Sequence, residues 1–75
     1  MEPFEIGQLI QCTSEFTARF TLPGGIDVLP IDLRIGDQFV ISGNDDSSKQ
    51  VFLVRNDGFG AEVYYNELKN FDIVP

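Results

Sequence analysis

A strict alternation of apolar and polar side chains in the first third of the chain most restricts its fold. The apolar residues stand at every second position, Phe16, Ala18, Phe20 and Leu22, with Thr17, Arg19 and Thr21 between them. Successive side chains of a strand point to opposite faces, whereas a helix would scatter this set around its axis. The segment therefore predicts a β-strand with one buried face.

Similar short runs recur along the chain and are separated by turn-forming residues. The further predicted strands are Leu29–Ile35, Phe39–Ile41, Gln50–Arg55, Ala61–Tyr65 and Phe71–Ile73, and the predicted turns or loops are Leu22–Gly25, Gly36–Asp37, Asn44–Ser48 and Asn56–Gly58. Pro30 has no N–H to donate, which predicts an edge strand or an extended arm around it. Asn66–Lys69 predicts one helical turn capped by Asn66. The pattern indicates an all-β fold, a small five- to six-stranded barrel with one short helical turn near the C-terminus.

Length and composition indicate one small domain. The chain has 75 residues, 43% of them apolar, with seven Phe, which is enough for one hydrophobic core and leaves no room for a second. We expect a single β-barrel domain over residues 1–75. Cys12 is the only cysteine, so an internal disulfide is excluded and a cytoplasmic, reducing location is expected. No signal-peptide pattern and no membrane-spanning apolar run is present.

The charge balance restricts the classes of partner. Twelve acidic residues face five basic ones, for a net charge of −7, and the basic residues are spread singly. Direct binding to nucleic acid needs clustered Lys and Arg, and an anionic membrane would repel this chain. Two readings of the acidity stay open. It steers the chain toward a basic surface on another protein, or it only keeps a small protein soluble.

The residue inventory argues against catalysis. The chain has no histidine, which removes the usual general bases, nucleophile partners and most zinc sites. Asp45 and Asp46 lie in a predicted open loop where both would stay ionised, and the glycine pairs do not lead into a helix. We therefore expect no enzymatic activity, no metal site and no cofactor.

The order of elements from Leu33 to Val74 resembles that of a Src-homology-3-like barrel. Leu33–Ile41 looks like the strand entry of that family, Asn44–Ser48 its n-Src loop, Asn56–Phe59 its distal hairpin and Val63–Leu68 its single-turn helix. The first thirty residues match only by pattern, as two strands and a long arm in place of the RT loop. The resemblance implies the fold. It does not extend to recognition of proline-rich peptides, because the chain has no Trp and carries Tyr64 and Glu67 where that groove has Pro and Tyr.

Aromatic residues at outward positions give a candidate contact surface. The candidate partner-binding residues are Phe52, Phe59 and Tyr64 together with Asp45, Asp46, Asp57 and Glu62. Such a set is typical of an interface with an aromatic centre and a charged rim. A purely structural role, in which Phe52 caps an open end of the barrel, stays equally open.

Three functions follow from these patterns. The first is a non-enzymatic protein-binding module, of the inhibitor type found among bacteriophage and mobile-element proteins, which this small acidic chain resembles. Its partner would be another protein with a basic surface. The second is an acidic mimic of nucleic acid that blocks a DNA- or RNA-binding enzyme. The third is a homo-oligomeric structural subunit joined through strand edges.

Overall fold

Seven short strands and one 3-10 helix make up the regular structure of this computed structural model, which describes residues 1–22, 24–25 and 27–75. The strands are β1 (Leu9–Cys12), β2 (Phe16–Thr21), β3 (Val28–Leu33), β4 (Gln38–Asp45), β5 (Gln50–Val54), β6 (Gly60–Tyr64) and β7 (Phe71–Ile73), and the helix is Tyr65–Asn70. The predicted all-β class is confirmed, and so is the single helical turn near the C-terminus.

The strands form one antiparallel sheet in the order β3-β2-β6-β5-β4-β1-β7. The centre is the meander β4–β5–β6, and β1 joins β4 to β7. The β2–β3 hairpin attaches to this body through one residue pair, Arg19 with Glu62. The hairpin is therefore the part of the sheet that depends most on side-chain contacts.

The predicted five- to six-stranded barrel needs two corrections. The described residues form seven strands, because β1 (Leu9–Cys12) comes in addition to the six predicted segments; the arm around Pro30 is a full strand that pairs with β2 from Phe16–Leu33 to Thr21–Val28. The sheet is also not closed, since its end strands β3 and β7 form no ladder with each other within the described residues. Closure would require hydrogen bonds along the outer side of β3.

The outer side of β3 lacks a donor at Pro30. The Leu22 N–H donates to the Asp27 carbonyl at 2.9 Å, which makes these two residues a hydrogen-bonded pair. Hydrogen-bonded and non-hydrogen-bonded pairs alternate along an antiparallel ladder, so the Arg19–Pro30 pair is of the second kind. The Pro30 nitrogen thus points to the free edge, where its missing N–H costs no ladder bond. The predicted edge position is confirmed.

The core is one cluster of buried side chains between the curled parts of the sheet. Its members are Ile10, Cys12, Ala18, Leu33, Phe39, Ile41, Val51, Leu53, Ala61, Val63, Leu68 and Phe71. The predicted inward alternation is confirmed, because Val51 and Leu53 of β5 and Ala61 and Val63 of β6 are all buried. The Phe71 ring packs edge-to-face against Phe16 at 5.7 Å and Phe39 at 6.4 Å between ring centres.

Several predicted boundaries differ from the structure. Leu29 and Ile35 do not continue the buried pattern, because Leu29 lies toward the far end of the hairpin and Ile35 follows the end of β3; they are 47% and 65% exposed. Of the predicted loop Asn44–Ser48, the first two residues belong to β4, where they pair with Val51 and Gln50.

The predicted turns and helix cap have mixed outcomes. The Asn56–Gly58 turn is confirmed, with Gly58 at a φ of 86°, a value that favours glycine. Asn66 is not the helix cap, because the helix begins at Tyr65 and the Glu67 carboxylate accepts the Tyr64 N–H at 2.7 Å. In the predicted Leu22–Gly25 turn, Pro23 lies outside the described residues, and the Gly25 N–H donates to the Leu22 carbonyl at 3.0 Å.

Candidate functional site

The seven candidate residues lie at three levels along the β5–β6 hairpin. Phe52 and Glu62 are direct cross-strand neighbours in its middle, and Asp57 and Phe59 lie in its turn. Tyr64 and Asp45 lie at the opposite end, where both pair with Gln50, and Asp46 follows Asp45 in the adjoining turn. The four residue steps from Val54 to Gln50 separate the two ends by about 13 Å. The structure therefore does not bring the seven together as one patch.

Glu62 and Tyr64 fasten the β2–β3 hairpin to the body of the sheet. The Glu62 carboxylate accepts the N–H of Thr21 at 2.8 Å and its hydroxyl at 3.0 Å. The Arg19 guanidinium lies 4.3 Å from the Tyr64 ring centre and donates to both carboxylate oxygens of Glu67, at 2.9 and 3.1 Å. This network supplements the single ladder pair between β2 and β6.

Asp45 and Asp46 are also engaged within the protein. Asp45 accepts the N–H of Ser47 at 2.9 Å and its hydroxyl at 2.6 Å, and these hydrogen bonds lower the pKa of Asp45. Asp46 accepts a hydrogen bond from the Tyr65 hydroxyl, which raises the pKa of Tyr65. The contact joins the β4–β5 turn to the 3-10 helix, so both acids organise the turn as well as face solvent.

Asp57 neutralises the cation next to it. The Arg55 guanidinium donates to both oxygens of Asp57, at 3.3 and 3.0 Å, and its carbon lies 4.8 Å from the Phe59 ring centre. Asp57 also accepts the Phe59 N–H at 3.0 Å. Hydrogen bonding to Arg55 lowers the pKa of Asp57. The turn thus presents an aromatic ring beside a closed ion pair.

Strand register brings together a row of apolar side chains on the outward face of the sheet. Leu9 lies opposite Val40, Val40 opposite Val54, and Val54 opposite Gly60. These positions alternate with buried residues on the same strands, so their side chains point away from the core. Val40 and Val54 are 41% and 39% exposed.

The row continues across β6 because Gly60 makes room for an aromatic ring. A Cβ atom on Gly60 would stand 3.4 Å from the Phe20 ring, which therefore covers the outward side of this glycine. Phe20 lies opposite Leu29 and stacks on Phe59 with 6.3 Å between ring centres. We call the set Leu9, Phe20, Leu29, Val40, Val54 and Phe59 the apolar belt. It crosses six neighbouring strands, or about 24 Å.

An open cleft of about 560 Å³ surrounds the Val40 end of the belt. Leu9, Val40 and Val54 line its floor, and two turns line its wall through Gly36–Asp37 and Arg55–Asn56. Polar residues border the row on both sides, with Gln38 and Ser42 flanking Val40 on β4. An apolar floor with a polar border is the arrangement found at protein interfaces.

No protein-family model, curated protein or solved structure matches this chain. Among the described residues, no three His, Cys, Asp or Glu side chains converge as metal ligands, and no helix is long and apolar enough to cross a membrane.

Sequence reasoning identified one part of the belt and missed the rest. Phe59 was a candidate residue, and the outward position of Val54 follows from the alternation of β5. Val40 carried the same signal, because it stands between the inward residues Phe39 and Ile41. Leu9 gave no such signal, since only the register places it opposite Val40. Phe20 and Leu29 were predicted on the buried side of their strands, and they join the belt through the contacts of the Phe20 ring with Gly60 and Phe59.

Proposed function

We propose that this chain is a non-enzymatic protein-binding module that contacts its partner through the apolar belt. The observation that carries the proposal is the apolar row with side chains on five strands and in the β5–β6 turn, in which the Phe20 ring covers Gly60 of β6 and four members are between 39% and 47% exposed. Monomeric proteins rarely expose large contiguous apolar patches unless these serve binding. The aromatic pair at one end of the row fits the usual composition of an interface centre.

Charge complementarity favours a basic partner over a second copy of the chain. The net charge is −7, so two copies repel each other at long range. Arg19 and Arg55 are already paired within the protein, with Glu67 and Asp57 respectively. A partner that covers the belt would therefore meet acidic groups whose charge its own Lys and Arg residues could balance. An inhibitor of the phage type is one form of this proposal.

For the fold, we propose the Src-homology-3-like arrangement. Three features support it: β1 lies between β4 and β7, the β4–β5–β6 meander follows, and the 3-10 helix stands between β6 and β7. The β2–β3 hairpin occupies the place of the RT loop.

The two alternative functions have less support. Oligomerisation through strand edges would use β3 or β7, and β3 lacks the outward donor at Pro30. A nucleic-acid mimic needs a track of free carboxylates, whereas Glu62, Glu67 and Asp57 all accept hydrogen bonds from neighbouring residues.

Matched single substitutions test the proposal. Val40→Ser and Val54→Ser remove apolar surface from the belt, and Ile6→Ser removes as much from an exposed residue outside it, 61% exposed. We expect the two belt variants to lose at least about tenfold in affinity for a partner captured with the natural chain, and Ile6→Ser to bind unchanged. Equal affinity in all four proteins, with their folds verified by circular dichroism, would exclude the belt as the binding surface.

A further inference from the structure

The wall of the cleft carries a carboxylate that its own turn holds in place. Asp37 closes the turn that leads into β4, where its Oδ2 accepts the Arg34 N–H at 2.9 Å and its own N–H donates to the Arg34 carbonyl at 3.0 Å. Its Oδ1 accepts no hydrogen bond within the part of the chain that the structure describes. Asp37 is half-buried and lines the same cleft as Val40 and Val54.

We propose that this cleft receives a lysine side chain of the partner, with its methylene stem on Val40 and Val54 and its ammonium at Asp37. This inference rests on the proposed function and names the chemical group that the belt recognises. A lysine buries its aliphatic stem readily while its charged end stays near water, which suits an open cleft with an apolar floor and a polar wall.

The neighbouring groups favour a cation at this point. The only basic side chain that lines the cleft is Arg55, and both oxygens of Asp57 hold its guanidinium. Asp37, Asp57 and Arg55 together carry a net charge of −1, because Arg55 is hydrogen-bonded to Asp57 and attracts Asp37 only through space. A cation from the partner balances that charge without breaking an existing ion pair.

The geometry of the acceptor favours lysine over arginine. A guanidinium binds best to two free oxygens of one carboxylate, but one oxygen of Asp37 already accepts the Arg34 N–H. An ammonium needs only a point acceptor and can direct its other donors to water or to neighbouring carbonyls. Gln38 also lines the cleft, and its side-chain nitrogen donates to the Gln11 side-chain oxygen at 2.9 Å.

A small-molecule titration tests this subsite without the partner. The ¹⁵N-labelled chain is titrated with n-hexylammonium, with n-hexanol and with n-hexanoate, which share an alkyl stem and differ in charge. We expect hexylammonium to bind most tightly and to shift the amide signals of Gly36, Asp37, Val40 and Val54. Equal affinity for the three probes, or shifts confined to another surface, would overturn the proposal.

Two charge variants separate the subsite from the general acidity of the chain. Asp37→Asn should weaken hexylammonium binding by about two- to fivefold, the range of a solvent-accessible ion pair. Asp32→Asn, which removes an equal charge from an exposed position on β3, should leave it unchanged. If both variants lost the same affinity for hexylammonium, the probe would be held only by long-range attraction to the acidic chain, and the proposed subsite would be overturned. If the probe fails while Val40→Ser still abolishes partner capture, the lysine subsite is wrong and the protein-binding function stands.

Discussion

At the scale of single residues, Glu67 accepts three hydrogen bonds, two from the Arg19 guanidinium and one from the Tyr64 N–H. Burial alone would raise its pKa, but hydrogen bonds from Arg19 and from the Tyr64 N–H outweigh burial, so the pKa of Glu67 lies below its usual value. A lowered pKa in the folded state stabilises the fold above the unfolded pKa of about 4.3, and this contribution is lost as the pH falls through the folded value.

We therefore expect Glu67→Gln to lower the free energy of unfolding by about 1 kcal/mol at neutral pH, because it removes the ion pair with Arg19. The difference from the natural chain should shrink toward zero as the pH falls below about 4. Urea unfolding at pH values on both sides of this range measures it. Glu15→Gln, which removes an equal charge from an exposed position, serves as the control. A difference that persists in acid would contradict this account of Glu67.

The single thiol is expected to be inert while the chain is folded. Cys12 is fully buried, and burial raises its pKa, with the carboxylates of Asp37 and Glu15 adding to the rise. The thiolate is the reactive form, so both access and ionisation are restricted. We expect a thiol reagent such as DTNB to react with the native protein only at the rate of its transient opening, and at once after denaturation. Immediate reaction in native buffer would show that Cys12 is accessible.

At the scale of elements, local patterns predicted what each strand does but not which strands meet. Alternation predicted β2 and the inward residues of β5 and β6, because a period of two is a property of one strand. The belt arises from register between strands that are far apart in sequence, as with Leu9 and Val40. The start of the predicted loop Asn44–Ser48 differs from the structure because Asn44 and Asp45 pair with Val51 and Gln50 of β5.

The free edge of β3 provides a test at this scale. Pro30 leaves the outward side of β3 without a donor at its centre, and a proline at such a position blocks pairing with another strand. We expect Pro30→Thr to restore the N–H and to cause concentration-dependent self-association through β3. Multi-angle light scattering over a range of concentrations measures it.

Val28→Thr is the matched control for this substitution. It places the same side chain on the same edge, at a position that already has an outward N–H. If both variants stay monomeric, proline is not what protects this edge. If both associate, the threonine side chain is the cause and the argument from backbone donors fails.

At the scale of the whole molecule, charge and apolar surface are expected to act on different steps of binding. The net charge of −7 acts over the Debye length, about 8 Å at physiological ionic strength, and so affects the encounter with a basic partner. The belt acts only at contact, where its exposed side chains leave water. If the chain binds a partner as proposed, we therefore expect charge to govern the rate of association and the belt to govern the rate of dissociation.

This separation can be measured by surface plasmon resonance with the partner captured by the natural chain. Raising the salt concentration should slow association by about tenfold or more and change dissociation little, because screening weakens long-range attraction. Val54→Ser should speed dissociation and leave the salt dependence of association unchanged, because the substitution does not alter the charge. Phe52 lies on the same face of β5 but outside the belt. Phe52→Ala should therefore change the dissociation rate less than Val54→Ser does, and the association rate less than added salt does. A salt-independent association rate would mean that the acidity serves solubility alone, whereas an unchanged dissociation rate in Val54→Ser would place the contact surface elsewhere.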